Sequence, residues 1–217
     1  LTYAHGHLVF RPEPWVVEVE YASLLLGSNP KHLDRFRGLV ERMLASPYCR
    51  GIKLWSEAGR KAFMSQVNCQ KFAHKIEVVY VAVPPKSFVK EYGGGKVRLL
   101  VVGSGNIKGG AAGGIEALEA IQAFASLSQR YNNLELLIKS EVPQHIKTQY
   151  GGMQNLRIID QIIPWEALER EFQSADVYIQ LPRSTSAYRI LEAMSYELPV
   201  IGVNSWANPE YILEGKT

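Results

Sequence analysis

A chain of 217 residues, 47% apolar and 21% charged, is long enough to bury a core without disulfides or metal, which excludes the disordered, fibrous and disulfide-stapled classes. Its formal charge of +3 leaves no electrostatic footprint for nucleic acid. Cys49 and Cys69 are too few for a disulfide framework and lack a C-x-x-C spacing, so a reducing, cytoplasmic setting is expected.

After an opening strand, Trp15 to Glu20 (WVVEVE) is rich in β-branched residues and suits a half-buried strand. A helix follows, with Asn29 as its cap, Pro30 at its first position, and Leu33, Phe36, Val40, Met43 and Leu44 recurring at helical spacing. Gly51 to Trp55 reads as another strand, Ser56 as the cap of the next helix, and KIEVVYVAV as a third buried strand. Pro84-Pro85 and Glu91-Tyr92-Gly93-Gly94-Gly95 then break periodicity twice, as a linker does. The boundary is placed there, giving one region over 1–90 and a second over 91–217.

Beyond the linker, strands are expected near 97–102, 134–138, 156–159, 177–181 and 199–202, with helices near 114–130, 143–150, 165–173 and 187–196. That alternation means a parallel sheet with right-handed crossovers. The helix over 114–130 sets Ile115, Leu118, Ile121, Phe124 and Ala125 against Glu116, Glu119 and Gln122, so it packs on the sheet by one face.

In a doubly wound sheet ordered 3-2-1-4-5, ligands bind beyond the carboxyl ends of strands 1 and 4. Two unusual loops fall there. The first, Gly103-Ser104-Gly105-Asn106-Ile107-Lys108-Gly109-Gly110, lacks the third glycine of a dinucleotide fingerprint and the G-K-S/T of a P-loop. It offers a glycine backbone and one ammonium to an anion, or else it is a plain turn with a solvated lysine. The second, Arg183-Ser184-Thr185-Ser186-Ala187, feeds a helix whose free N–H groups favour an anion. Glu192, little more than a turn into that helix, either accepts from two vicinal ribose hydroxyls or faces solvent.

The run Ile190-Leu191-Glu192-Ala193-Met194-Ser195-Tyr196-Glu197-Leu198-Pro199-Val200-Ile201 resembles the L-E-A-M-A/S-x-G-x-P-V-I/V hallmark of retaining GT-B glycosyltransferases, called group 1 or family 4. Asn208-Pro209-Glu210 with Gly215-Lys216-Thr217, Lys108-Gly109, and Pro164-Trp165-Glu166 with Ala175-Asp176-Val177 are similar to further segments of that family. The resemblance implies an α/β chain of two Rossmann-like lobes. The first is the C-terminal part of the acceptor lobe, the second a doubly wound donor lobe truncated at its C-terminal end. The chain is therefore read as part of a longer protein.

The resemblance further implies transfer of a sugar from a nucleoside-diphosphate sugar to an acceptor hydroxyl, with retention and without a metal or other cofactor. Glycan, lipid and small-molecule acceptors all remain open. Lys108 would pair with the diphosphate and Glu192 would hold the ribose. Gly103, Ser104, Gly105, Arg183, Ser184, Thr185, Ser186 and the backbone at Ala187 and Tyr188 would line the donor site, with Lys108, Ser184 and Glu192 nearest the chemistry. Three departures from the family carry weight for the site: Ser184 stands where a sugar-contacting Glu is usual, Ser104 where an Arg is usual, and Tyr21 where a His is often found. Arg183 or Arg189 would then supply the missing charge, unless both are solvated. His5, His7 and Tyr21 are candidates for the acceptor side. Two other functions fit the same resemblance, a nucleotide-sugar epimerase and a non-catalytic nucleotide-sugar or partner-binding module.

The charge is uneven. Residues 1–90 carry 13 Lys and Arg against 7 Asp and Glu, whereas 91–217 carry 11 against 14. Either this is ordinary variation or the first lobe offers a basic face to an anionic membrane or acceptor.

Overall fold

The structure, a computed structural model, describes residues 1–103, 112–181 and 187–216, with the side chains of 112–116 also left undescribed. The chain divides into two compact units. The first is built on Leu1–Ala82 and takes in Ser205–Glu210; the second begins at Val83.

The first unit holds a four-stranded sheet in the order β1 (Thr2–His5), β2 (Trp15–Glu18), β3 (Cys49–Leu54), β4 (Ile76–Val78). Every neighbouring pair is parallel. Helices α1 (Pro30–Ala45) and α2 (Glu57–Gln66) start where the sequence predicts. Asn29 accepts from Lys31 N at 3.0 Å and Ser56 Oγ from Gly59 N at 2.9 Å, each satisfying a helix N–H that has no partner within its helix. Alternation in the strands and helical spacing in α1 and α2 send Ala4, Trp15, Val17, Ile52, Leu54, Leu33, Val40, Leu44 and Phe63 into one core. The carboxylate of Glu210 accepts from Glu57 N and Ala58 N at 2.8 Å each, tying residues 205–210 into this unit at the α2 N-terminus.

Three expectations need adjustment. Phe36 lies at the margin of the buried face of α1, 39% exposed, with the Arg35 guanidinium 5.1 Å from its ring centroid. The buried stripe is the narrower set Leu33, Val40 and Leu44. The third strand stops at Val78, because β4 pairs only with β3 and β3 ends at Leu54, whose carbonyl takes Val79 N at 2.8 Å. Strand β2 likewise ends at Glu18, although Val19 N still bonds Lys53 O at 2.9 Å.

The second unit holds five strands, β5 (Val97–Val102), β6 (Leu134–Lys139), β7 (Leu156–Ile159), β8 (Val177–Gln180) and β9 (Val200–Gly202). They are parallel and ordered β7-β6-β5-β8-β9, the 3-2-1-4-5 order expected from the sequence. The winding direction therefore reverses between β5 and β8. Helices α3 (Ala112–Ser128) and α4 (Gln144–Tyr150) bury Ala117, Ala120, Ile121, Phe124 and Ile146 against one sheet face. Helices α5 (Trp165–Ser174) and α6 (Tyr188–Ser195) complete this unit. Phe172 of α5 stacks on Tyr196, just past α6, at 5.6 Å and packs on Tyr178 of β8 at 5.9 Å. A last short helix, α7, covers Asn208–Tyr211.

Residues 83–90, expected to close the first region, cluster with the second unit. Lys86 Nζ bonds Glu169 at 3.0 Å and lies 5.2 Å from the Tyr196 ring centroid. Lys90, its side chain only 5% exposed, bonds Gln173 O at 3.0 Å and pairs with Asp176 at 3.5 Å. Apolar burial around a paired ammonium holds this segment to α5, a tie that a proline-and-glycine pattern does not reveal.

Candidate functional site

The carboxyl edge of the second sheet is built by Gly103 after β5, Lys139 and Ser140 at the end of β6, Asp160 after β7, and Gln180 at the end of β8. Gly103 N bonds Lys139 O at 3.0 Å, and Ser140 N bonds Ile159 O at 3.1 Å, so the three strand ends are in register. A Cβ at Gly103 would stand 2.2 Å from Ser140 Oγ. Only glycine fits this close approach. Among the described residues the buried Ser140 hydroxyl has no hydrogen-bond partner, whereas most buried polar groups are paired.

Glu192 of α6 is 3% exposed, which removes the solvent-facing alternative. Its carboxylate is paired with Arg189 one turn earlier. Arg189 thus has a partner, and the reading of it as simply solvated is also removed. Burial holds the Lys139 ammonium below its usual range, and the neighbouring positive charge of Arg189 adds to the effect. Tyr178 is fully buried, and burial pushes its phenol up; the hydroxyl donates to Gln180 Oε1 at 2.8 Å. The edge therefore gathers two cations, one buried carboxylate and a buried hydroxyl within a single unit. Such a set can pair with an anion and accept from hydroxyl groups. Sequence reasoning missed Lys139 and Ser140. Their signal was available, since they end the second strand of the doubly wound sheet as Gly103 ends the first.

Ala187 is buried, and Tyr188, at the first turn of α6, is 48% exposed beneath the Arg189 guanidinium at 5.9 Å. Ser104, Gly105, Lys108, Arg183, Ser184, Thr185 and Ser186 lie outside the described residues.

In the first unit a second cluster stands at the carboxyl edge of its sheet. Glu18 accepts from Tyr3 Oη at 2.5 Å and from Trp55 Nε1, and His5 Nδ1 lies 4.0 Å from the same carboxylate. The His5 ring stacks on Trp55, with centroids 5.6 Å apart. The hydrogen bond to Glu18 pushes the Tyr3 phenol up to about 12. Of the three acceptor-side candidates, His5 belongs to this cluster. His7 Nδ1 lies 2.7 Å from His5 O, and Tyr21 donates to Ser28 Oγ at 3.2 Å, so the latter two fix the local backbone and loop. Tyr3, Glu18 and Trp55 were not singled out from sequence, because the carboxylate that organises them comes from a neighbouring strand.

Residues 110–217, a stretch that includes Lys139, Ser140 and Glu192, match the model of the family described as glycosyl transferases group 1. The sequence has no match among the curated proteins. Among solved structures, the apo form of the lipopolysaccharide outer core galactosyltransferase WaaB is 19% identical, with a TM-score of 0.54 over 92% of this chain and 59% of that one. A mutant of S. aureus TarM in complex with Fondaparinux, alpha-GlcNAc-glycerol and UDP is 12% identical, with a TM-score of 0.61 over 94% of this chain and 41% of that one. A structure described as trehalose-6-phosphate from E. coli bound with UDP-2-fluoro glucose is 12% identical, with a TM-score of 0.60 over 92% and 61%. The chain spans about two fifths to three fifths of the length of these solved chains. At such identities the likeness is one of fold, and the sequence match supplies the family. Residues 110–217 thus match the glycosyl transferases group 1, and the two units of the chain carry the Rossmann-like lobes of the GT-B fold.

Proposed function

We propose that the second unit binds a nucleoside-diphosphate sugar, and that the protein moves the sugar to an acceptor hydroxyl with retention at the anomeric carbon. The observation that carries this reading is the buried Glu192 carboxylate at the winding reversal of a sheet matching the glycosyl transferases group 1. A buried carboxylate held in place by Arg189 at a ligand-binding edge suits vicinal ribose hydroxyls. The solved relatives that hold UDP or UDP-2-fluoro glucose support a donor of this class.

In this reading Lys139 lies beside the diphosphate, with Lys108 joining it as the family resemblance implies. As the bond from the anomeric carbon to the diphosphate breaks, negative charge builds on the leaving oxygen. Fixed cations in a partly desolvated notch stabilise that charge more than water does. The proposed chemistry needs no metal, because these ammonium groups and the α6 N-terminus carry the neutralising role. In the first unit, the Glu18, His5 and Trp55 cluster is the acceptor-side candidate.

Titration of UDP into the wild-type chain and Glu192→Gln by calorimetry tests the donor assignment. Loss of a charge-assisted pair of bonds should weaken binding by about tenfold or more. Equal affinities would remove Glu192 from the site. Product analysis of the complete protein with labelled nucleotide sugars then separates the rivals: transfer supports the proposal, isomerisation an epimerase, and binding without turnover a module.

A further inference from the structure

The positive surplus of residues 1–90 is not spread evenly over them. Of the 13 Lys and Arg in residues 1–90, Arg37, Lys53, Arg60, Lys86 and Lys90 are in ion pairs. Lys75 donates to the carbonyls of Leu44 and Ser46 at 3.0 and 2.8 Å. Seven remain without a carboxylate partner among the described residues. Five of these, Lys31, Arg35, Arg42, Arg50 and Lys71, share one surface.

The geometry follows from α1. At about 100° per residue, Lys31, Arg35 and Arg42 fall within about 40° of one another and opposite the buried stripe of Leu33, Val40 and Leu44. Phe36, 39% exposed, and the half-buried Leu39 flank them on one side, next to Met43, which packs against the core. On the other side Gly38, Arg42 and Lys71 line a groove of about 350 Å³. It continues through Lys71 into a second groove of about 480 Å³, lined by Arg50, His74 and Lys75. The surface holds Asp34, Glu41 and Glu77 as its carboxylates, and Asp34 is paired with Arg37. Glu41 accepts from Asn68 N at 2.8 Å, and Glu77 is paired with Lys53. Arg50 and His74 sit at the amino ends of β3 and β4, so this surface extends to the sheet edge opposite the Glu18 cluster and is not part of that site.

We propose that this face of α1, with its two grooves, docks on a bilayer containing anionic lipid. A soluble polyanion would need only the charges. The row of exposed or half-exposed apolar side chains beside an unpaired basic stripe fits instead the boundary between headgroups and acyl chains, where cations meet phosphates and an aromatic ring sits below them. Phe36, which the core leaves outside, is the side chain placed to enter.

The 217-residue chain is sedimented with vesicles of phosphatidylcholine alone and of equimolar phosphatidylcholine and phosphatidylglycerol. The chain should bind the anionic vesicles at least about tenfold more tightly and be released by about 0.5 M salt, where screening shortens the reach of surface charge. The double variant R35E/R42E should lose that binding, and Phe36→Ser should weaken it, while Lys61→Glu, a free lysine elsewhere on α2, should not. UDP binding and the thermal midpoint are read on each variant, so a folding defect or a failed donor site shows itself separately. Equal binding to neutral vesicles, wild-type binding by R35E/R42E, or binding to long-chain polyphosphate as tight as to the anionic vesicles and unchanged in Phe36→Ser would each overturn the proposal.

Discussion

Glu197 stands where the group 1 hallmark has glycine, and the backbone explains why glycine suits the position. Its φ is +59°, the left-handed region that a side chain enters at a cost of about 1 kcal/mol. It closes α6 with two hydrogen bonds, Glu197 N to Met194 O at 2.9 Å and Leu198 N to Ala193 O at 3.2 Å, the pattern of a helix end usually capped by glycine. What the chain keeps in exchange is an acceptor: the Glu197 carboxylate takes Lys90 N at 2.9 Å, beside the Tyr92 hydroxyl that donates to the Glu197 backbone carbonyl at 2.6 Å whatever the side chain. Two substitutions separate these effects. Glu197→Ala retains the strain and loses the Lys90 bond, so it should destabilise by about 1 kcal/mol. Glu197→Gly loses the same bond but relieves the backbone, and should lie near wild type. Urea midpoints measure both, and equal losses would show that the conformation at this residue carries no strain.

At the scale of elements, the second sheet was the most legible part of the chain. Five apolar runs separated by helical periods fix a parallel order, and that order fixes the reversal between β5 and β8. Capping was equally readable, because Asn29-Pro30 and Ser56 act on N–H groups within two or three residues. What escaped was set by tertiary partners. The Val79 to Val83 end of the third expected strand lies beyond the end of β3, its neighbour, Phe36 is displaced from a stripe already filled by Val40 and Leu44, and the Lys86 to Tyr92 segment is held by carboxylates and backbone carbonyls 83 to 107 residues away. Ion pairs at sheet edges belong to the same class and give a pH dependence. Hydrogen bonds from Lys96, with Arg98 adding, hold the Glu135 carboxyl below the usual carboxylate range, and Lys147 does the same for Asp160. Both carboxyls are depressed on folding, so their contribution is complete above the unfolded values, near pH 4, and is lost as pH falls through the folded ones. Both pairs are partly exposed, so the effect is modest. The urea midpoint should be flat from about pH 7 to about pH 5 and decline below that. In Lys96→Ala with Lys147→Ala the decline should be shallower, and an unchanged slope would assign acid sensitivity to other groups.

On the scale of the whole molecule, the units have separate cores and separate carboxyl edges, and each edge gathers its own chemistry. The donor candidates Gly103, Lys139, Ser140 and Glu192 belong to one parallel sheet and its helix, whereas Glu18, His5, Tyr3 and Trp55 belong to the other. A ligand that engages only the first set should therefore leave a one-sided imprint. Hydrogen exchange with and without UDP measures it, because local opening reports on each segment independently. Slower exchange is expected at the amides around 103, 139–140 and 188–192, where a bound diphosphate and ribose would restrain the strand ends and the first turns of α6. The amides of β1, β2 and β3 should exchange as before. Protection centred on Glu18 and Trp55 would move the nucleotide to the first unit, and the assignment of donor and acceptor sides would have to be exchanged.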